Sequence, residues 1–434
     1  MGDSMYRDDM CALFKRLWPI SRSITGKGVR QSLDIIGQVI PIEKLEFPSG
    51  SSCYDWTVPN EWNIECAYVK DSKGRVLIDF HDNNLHVVSY SVPVNKTVSR
   101  DELMKHLNTR PDLPDAIPYR TSYYTEDWGF CIEHNRLSEF VDDHYEVVID
   151  STLQKGSLTI GEGYIRGSSE EEIFLSCYMC HPSMANNELS GPVVMAAVCD
   201  ELRKRPLRRF SYRYIFCPET IGSIVYLSKY HERMRQRVRA GIAIQMLGID
   251  HNLIFRKTRQ GNTIADRAVL NVLSRRQPDA TLMDWSPMGG GDQRQYTSLG
   301  INLPVVLLCR ALNGSYPEYH TSKDNLDIIS MDRTEEAVSI ILEIIDTIEG
   351  NAVFENLMPY CEPQLGKRGL YPNTGGTLAS DITRHYIHLL GWSDGKADLI
   401  DISNKSGYSV VSLRKAADTL CEHDLLGLVE RDVD

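Results

Sequence analysis

Between Tyr145 and Ile348 short apolar runs alternate with stretches of helical spacing: VVIDS, SLTIGEGYI, IFLSCYMC, a helix after Gly191, YRYIFC, a helix around Ile221 to Met234, AGIAIQMLGI, the helix TIADRAVLNVLSRR, LPVVLLC, and an amphipathic helix from Thr334 to Ile348. Strands that are apolar throughout need cover on both faces. Alternating helices supply it, so the pattern predicts an α/β core around a mixed, mostly parallel sheet. Sheets of this kind bind ligands beyond the carboxyl ends of their strands. Three polar residues fall at such ends: His181 after IFLSCYMC, Glu219 after YRYIFC, and His320 after LPVVLLC. Past His181, Ser190-Gly191-Pro192 reads as a helix start, because the hydroxyl caps free amides and proline needs no amide partner. Two imidazoles and a carboxylate on one rim make the ligand set of a catalytic zinc site with one position open. Each histidine alone is explained as well by an ordinary loop position; their coincidence at three strand ends favours the site.

Elsewhere the pattern changes. Met10 to Leu17 and Val29 to Ile40 carry helical spacing on either side of the polar turn ISRSITGKG, and from about Leu45 to Val148 short strand-like runs are broken by Asn, Asp, Gly and Pro. The reading is a core formed by residues 1–44 and 145–360, with a β-rich insertion over 45–144. Within the insertion YRTSYYTEDWGFC concentrates aromatics; Arg120, Tyr123 and Tyr124 are candidates to wall a ligand pocket, with an aromatic packing cluster as the equal alternative. The Gly- and Pro-rich CEPQLGKRGLYPNTGGT reads as a linker. Three helical patterns and a closing GLVERDV then describe a winged helix over residues 376–434. From Asp381 to Asp434 ten acids face six bases, which disfavours nucleic acid and points to docking or homo-oligomerisation.

A formal charge of -12 over 434 residues disfavours anionic membranes and nucleic acid generally. No apolar stretch is long enough to span a bilayer, and MGDSMYRDDM lacks a leader pattern, so a cytoplasmic location is expected. Eleven cysteines without framework spacing fit reduced thiols. Cys177 and Cys180 form a C-x-x-C. On a strand, residues three apart face opposite ways, so both are read as packing residues.

The stretches CHPSMANNELSGP, PETIGS, GGGDQRQY, YPEYHTSKDN and CEPQLGKRGLYP, together with YDWTVPNEWNI and YRTSYYTEDWGFC, resemble the signature segments of a bacterial aminopeptidase-like family of largely unknown function. The resemblance covers nearly the whole chain. It implies a three-layer, phosphorylase/hydrolase-like zinc-aminopeptidase core, an inserted β-rich domain and a C-terminal winged helix, the core being distantly similar to leucyl aminopeptidases and glutaminyl cyclases. Carried over residue by residue, His181 and His320 match the first and last metal ligands. Asn187 stands where the aminopeptidases bridge two metals with an aspartate, and a later aspartate falls near Gln245. Two close dications need an anionic bridge, so one zinc per chain is implied. ETIG aligns on a Glu-Glu-x-Gly pair in two ways, leaving Glu219 as general base or as ligand. Glu188 is the other candidate carboxylate, and Asp292 either orients a ligand or is one. Arg294 and Tyr319 flank the matched positions and are placed to bind a substrate carboxylate or an oxyanion. The implied activity is metal-assisted hydrolysis of a small peptide or amino-acyl amide. The alternatives are a related amide cyclisation on one metal, and a binding protein built on an inactive aminopeptidase fold.

Overall fold

The computed structural model describes residues 5–289, 291–371 and 381–429. The chain divides into two compact units, Met1–Gly261 with Thr281–Val338, and Asn262–Ala280 with Ser339–Asp434.

The first unit is built on an eight-stranded sheet. Its strands are β1 (Glu43–Pro48), β2 (Ser157–Ile165), β3 (Glu172–Tyr178), β4 (Ser211–Cys217), β5 (Val238–Ile244), β6 (Ile254–Arg256), β7 (Thr281–Met283) and β8 (Val305–Cys309), in the spatial order β1-β2-β4-β3-β5-β8-β6-β7. The central strands β4, β3, β5 and β8 run parallel; β2 joins β4 antiparallel at one side and β6 joins β8 antiparallel at the other. Every residue of β3, β4 and β8 is buried, as expected of parallel strands covered on both faces. The carboxyl ends of β3 and β4 deliver Cys180-His181 and Glu219 to one rim, and the loop after β8 carries His320.

A four-stranded antiparallel sheet forms the insertion, in the order Val76–Asp79, Glu61–Lys70, His144–Gln154, Val94–Ser99. Its own core includes Val69, Ile78, Phe130, Phe140, Tyr145 and Val147. Both insertion boundaries differ from the expected ones. Glu43–Pro48 belongs to the core sheet, paired with β2, while VVIDS lies in the insertion sheet instead of the core. His144 to Leu153 alternates buried and more exposed positions. That is the pattern of a strand with one wet face, and a five-residue apolar fragment does not show it.

The second unit contains the helix Ile264–Arg276, the latter part of the helix Met331–Gly350, and a three-stranded sheet ordered Asp394–Asp398, Val353–Asn356, Leu426–Leu428 with helices Asp381–Trp392, Leu399–Ser406 and Val410–Glu422. Val353–Asn356, placed by sequence in the core, is the middle strand of this small sheet. The linker portion at 372–380 and the wing beyond Val429 lie outside the described residues. Asp398 caps the helix Leu399–Ser406 and takes the two-pronged hydrogen bond of Arg267 at 2.7 and 2.6 Å. No described helix is long and apolar enough to cross a membrane.

Candidate active site

The loop after β3 is held by groups remote in sequence. The chain turns from Ala185 to Leu189 as one wide π-type turn before the α-helix Ser190–Lys204. Its leading amides, those of Ala185, Asn186 and Asn187, donate to the Asp324 carboxylate at 3.1, 2.6 and 2.9 Å, and the Tyr316 hydroxyl adds a fourth donor at 2.7 Å. Asp324 is thus the cap. Ser190 does not cap this helix; it is already helical, and its hydroxyl donates to the Asn186 carbonyl while accepting from Leu247 N. Wide turns of this kind recur at functional sites, and this one carries Asn187 and Glu188 inward, both fully buried.

Glu188 accepts from His181 Nδ1 at 2.8 Å. This carboxylate orients the ring and directs Nε2 outward, where Glu219 Oε2 stands 4.0 Å away. Burial works against a charged His181, but Cys180 and Glu188 outweigh it and hold the imidazole above its usual value. Behind the pair, completely buried Arg22 donates to the carbonyls of His181 at 3.1 Å and Leu17 at 2.6 Å, with its Nε 3.7 Å from Glu188 Oε1. Cys180 packs in the core, as expected, and also meets the site. Its Sγ lies 3.5 Å from His181 Nδ1 and accepts from Glu219 N at 3.3 Å, and Cys180, His181 and Glu188 place ligand-capable atoms within 4.8 Å of one another. The site contact was not foreseen because β3 ends at Tyr178, so strand alternation does not reach Cys180. Burial pushes its thiol up to about 11.

Glu219 sits at a strained turn. Thr220 has φ 65° and ψ -72°, and Ile221 N donates to Glu219 O at 2.8 Å, which together define a γ-turn of the rare strained kind. A β-branched residue resists positive φ, so the surroundings must enforce it. They do: Asp292 Oδ1 accepts from Thr220 N and from Ser223 Oγ, both at 2.7 Å. Burial, reinforced by the Glu219 charge, pushes Asp292 up to about 7, and burial also raises Glu219. Asp292 therefore orients the Glu219 turn. Arg294 reaches the same turn, Nη2 to Thr220 Oγ1 at 3.4 Å.

His320 has φ 56°, and its carbonyl accepts from Tyr119 N at 2.8 Å. Its ring stacks on Tyr319 at 3.9 Å and 9°, and lies 5.1 Å from the His181 ring. Nε2 is buried without a hydrogen-bond partner. Burial, with His181 adding to it, pushes this imidazole down to about 3, so the ring is neutral and ligand-competent at physiological pH. The insertion reaches the histidines through Tyr119, edge-on to His181 at 5.1 Å and to His320 at 5.2 Å. Arg120 is exposed and donates to Asn108 at 2.6 Å; Tyr123 hydrogen-bonds the Tyr119 hydroxyl at 2.5 Å, and Tyr124 packs edge-on to Trp56. Asn187 Oδ1 accepts from the Tyr178 hydroxyl at 3.4 Å. Buried Gln245 leaves Nε2 unpartnered and lies so close to Gly291, whose φ is 52°, that an added Cβ would meet its Oε1 at 2.3 Å.

Residues 11–351 match a domain of unknown function (DUF4910), and residues 352–427 match a winged helix-turn-helix family. The chain belongs to the DUF4910 family. A Clostridium acetobutylicum protein, named provisionally for polysaccharide biosynthesis with an aminopeptidase-like domain, is 47% identical over 418 residues, 96% of this chain and 95% of that one. The crystal structure of a Clostridium acetobutylicum protein, provisionally called a peptidase, superposes with a TM-score of 0.91 at 45% identity, covering 98% and 96% of the two chains. A zinc aminopeptidase from Bacillus subtilis superposes at a TM-score of 0.53 and 14% identity, over 77% of this chain and 94% of that one. The DUF4910 portion thus has the aminopeptidase-like fold, followed by a winged helix.

The positions singled out by motif, His181, Asn187, Glu188, Glu219, Asp292 and His320, fall in this one neighbourhood. Motif reading gave no site role to Arg22, Cys180 or Tyr119 individually. Arg22 carried a faint signal, a lone arginine in the otherwise uncharged WPISRSIT; Cys180 closes the C-x-x-C before His181, and Tyr119 opens the aromatic YRTSYYTEDWGFC.

Proposed function

We propose that the DUF4910 core is a zinc-dependent amidohydrolase of aminopeptidase type, acting on a small peptide or amino-acyl amide. The observation that carries this reading is the buried, unpartnered His320 Nε2 beside His181 and Glu219. An orphaned imidazole nitrogen at a strand-end cleft is a donor without an acceptor in the protein, and two imidazoles with one carboxylate complete the three-ligand count of a catalytic zinc. The residues therefore fit one zinc, held by His181, His320 and Glu219, with Glu188 as the other candidate carboxylate. Neutral Asn187 and Gln245 supply no anionic bridge for a second.

When bound, the metal supplies Lewis acidity toward the amide carbonyl and lowers the pKa of water. The protein's own groups do the rest. Glu188 fixes the His181 tautomer through Nδ1. The strained Thr220 turn, tied to Asp292, aims Glu219 at the reacting position. Whichever of Glu219 and Glu188 is not a ligand accepts a proton and returns it to the departing amine; desolvation, which raises Glu219, suits that task. Arg294 and Tyr319 border the cleft as substrate-binding groups, and Tyr119 and Tyr123 line its insertion side. Asn187 and Gln245 equally favour an intramolecular amide cyclisation on one metal, the second reading. In the winged-helix unit Arg414 is bound to Asp418 at 2.8 Å, which supports docking or self-association over nucleic-acid binding.

Metal content by plasma mass spectrometry tests the reading. Near one zinc per chain is expected, lost in His181→Ala and His320→Ala, with zinc-dependent release of amine from an amino-acyl amide panel. Two metals per chain would refute the single-metal argument from Asn187. No metal after incubation with zinc would refute the hydrolase.

A further inference from the structure

On the insertion side of the site a recess of about 170 Å³ opens, lined by Tyr90, Tyr123, Tyr124, Glu126, Asn60 and Leu153 among others. Three of its walls are tyrosine rings set nearly at right angles: Tyr90 and Tyr123 at 86° with centroids 5.2 Å apart, Tyr123 and Tyr124 at 77° and 6.2 Å. Tyr124, 69% exposed, packs edge-on to Trp56 as well as to Tyr123. Among the described residues the lining holds one carboxylate, Glu126, and no lysine, arginine or histidine. Aromatic rings carry the negative part of their quadrupoles on their faces, and the Glu126 carboxylate among the lining residues adds a field of the same sign. That combination repels an anion and favours a cation. The recess shares a wall with the catalytic cleft, since the Tyr123 hydroxyl bonds that of Tyr119, which touches both histidine rings.

We propose that this recess is an aromatic cage for an alkylammonium group, so that the substrate carries a cationic amine apart from the amide that reacts. The assignment of that group to the substrate rests on the amidohydrolase reading; the affinity of the cage for ammonium does not. The cage walls are aromatic in kind more than phenolic, because the hydroxyls of Tyr90 and Tyr123 are engaged elsewhere, with Thr25 and Tyr119.

The test is calorimetric titration of the full chain with Nα-acetyl-lysine methylamide and with its neutral counterpart Nα-acetyl-norleucine methylamide, in Glu219→Gln to prevent turnover. The lysine compound is expected to bind about tenfold more tightly, Tyr124→Ala to lose about fivefold to tenfold of that affinity, and Tyr124→Phe to keep it. Glu126→Gln is expected to weaken binding by a few fold, an effect that fades with added salt. Equal affinity for the two compounds, or unchanged affinity in Tyr124→Ala, overturns the cage. Because no turnover is measured, a chain that binds the lysine compound but takes up no zinc upholds the cage while refuting the hydrolase.

Discussion

Arg22 is the residue whose removal the structure costs most directly. It is wholly buried, donates to two buried carbonyls and to Ser32 Oγ at 3.3 Å, and lies 3.7 Å from a carboxylate that is itself wholly buried. Arg22→Met preserves most of the volume but removes the guanidinium from beside Glu188 and strands the carbonyls of Leu17 and His181. Breaking a buried pair by deleting one partner costs about 3–5 kcal/mol, because the remaining charge is uncompensated. With a urea slope of about 3 kcal/mol/M for a unit this large, the midpoint should fall by roughly 1–1.7 M. Tryptophan fluorescence reports on the relevant unit, which holds Trp18, Trp56, Trp62, Trp128 and Trp285. Combining Arg22→Met with Glu188→Gln removes the stranded charge and keeps the hydrogen bond to His181, so about half the loss should return, a coupling of ~2 kcal/mol. A single variant within 0.3 kcal/mol of wild type, about the error of such comparisons, or losses that simply add, would refute the idea that charge pairing holds this wall together.

Thr220→Gly should stabilise the chain by about 1 kcal/mol, since glycine adopts positive φ without the strain the threonine bears; a destabilised variant would show that the turn is not strained. Asp292→Ala should leave that turn free to relax and, by displacing Glu219, lower both zinc uptake and kcat/KM for the proposed hydrolysis, the latter about a hundredfold; unchanged zinc and activity would show that Asp292 does not position Glu219. Glu61, held by Arg30 in two 2.8 Å hydrogen bonds and by Ser157 N at 3.0 Å, has its carboxyl pulled down to about 2 by Arg30. Its pKa is depressed on folding, so the stability it contributes is present above about 4.3, its ordinary value, and is lost as pH falls through about 2. After solvent screening this amounts to about 1–2 kcal/mol, and Glu61→Gln should flatten that part of the acid unfolding curve.

Much of the fold is legible in the sequence because buried parallel strands write themselves as unbroken apolar runs. IFLSCY and YRYIFC mark β3 and β4, and chain connectivity brings the residues that follow them to one rim. His181 and Glu219 are found that way, and His320 after β8 likewise. The resemblance places neutral Asn187 and Gln245 where the aminopeptidases carry aspartates, and residue type alone then disfavours a two-metal centre.

Other features are decided only by packing between distant segments. VVIDS joins the insertion because its partners, Glu61–Lys70 and Val94–Ser99, offer one buried face, and pairing partners are not encoded in a five-residue window. Arg22 meets Glu188 across 166 positions, Asp324 caps a turn 137 to 139 positions upstream, and Tyr119 pairs its backbone with His320. Each joins two loops whose local sequences carry no mark of the other. Sequence by itself determined which groups stand at the strand ends. Tertiary structure decided which are charged, which are orphaned and which are strained, because desolvation and hydrogen-bond satisfaction depend on what the rest of the chain brings alongside.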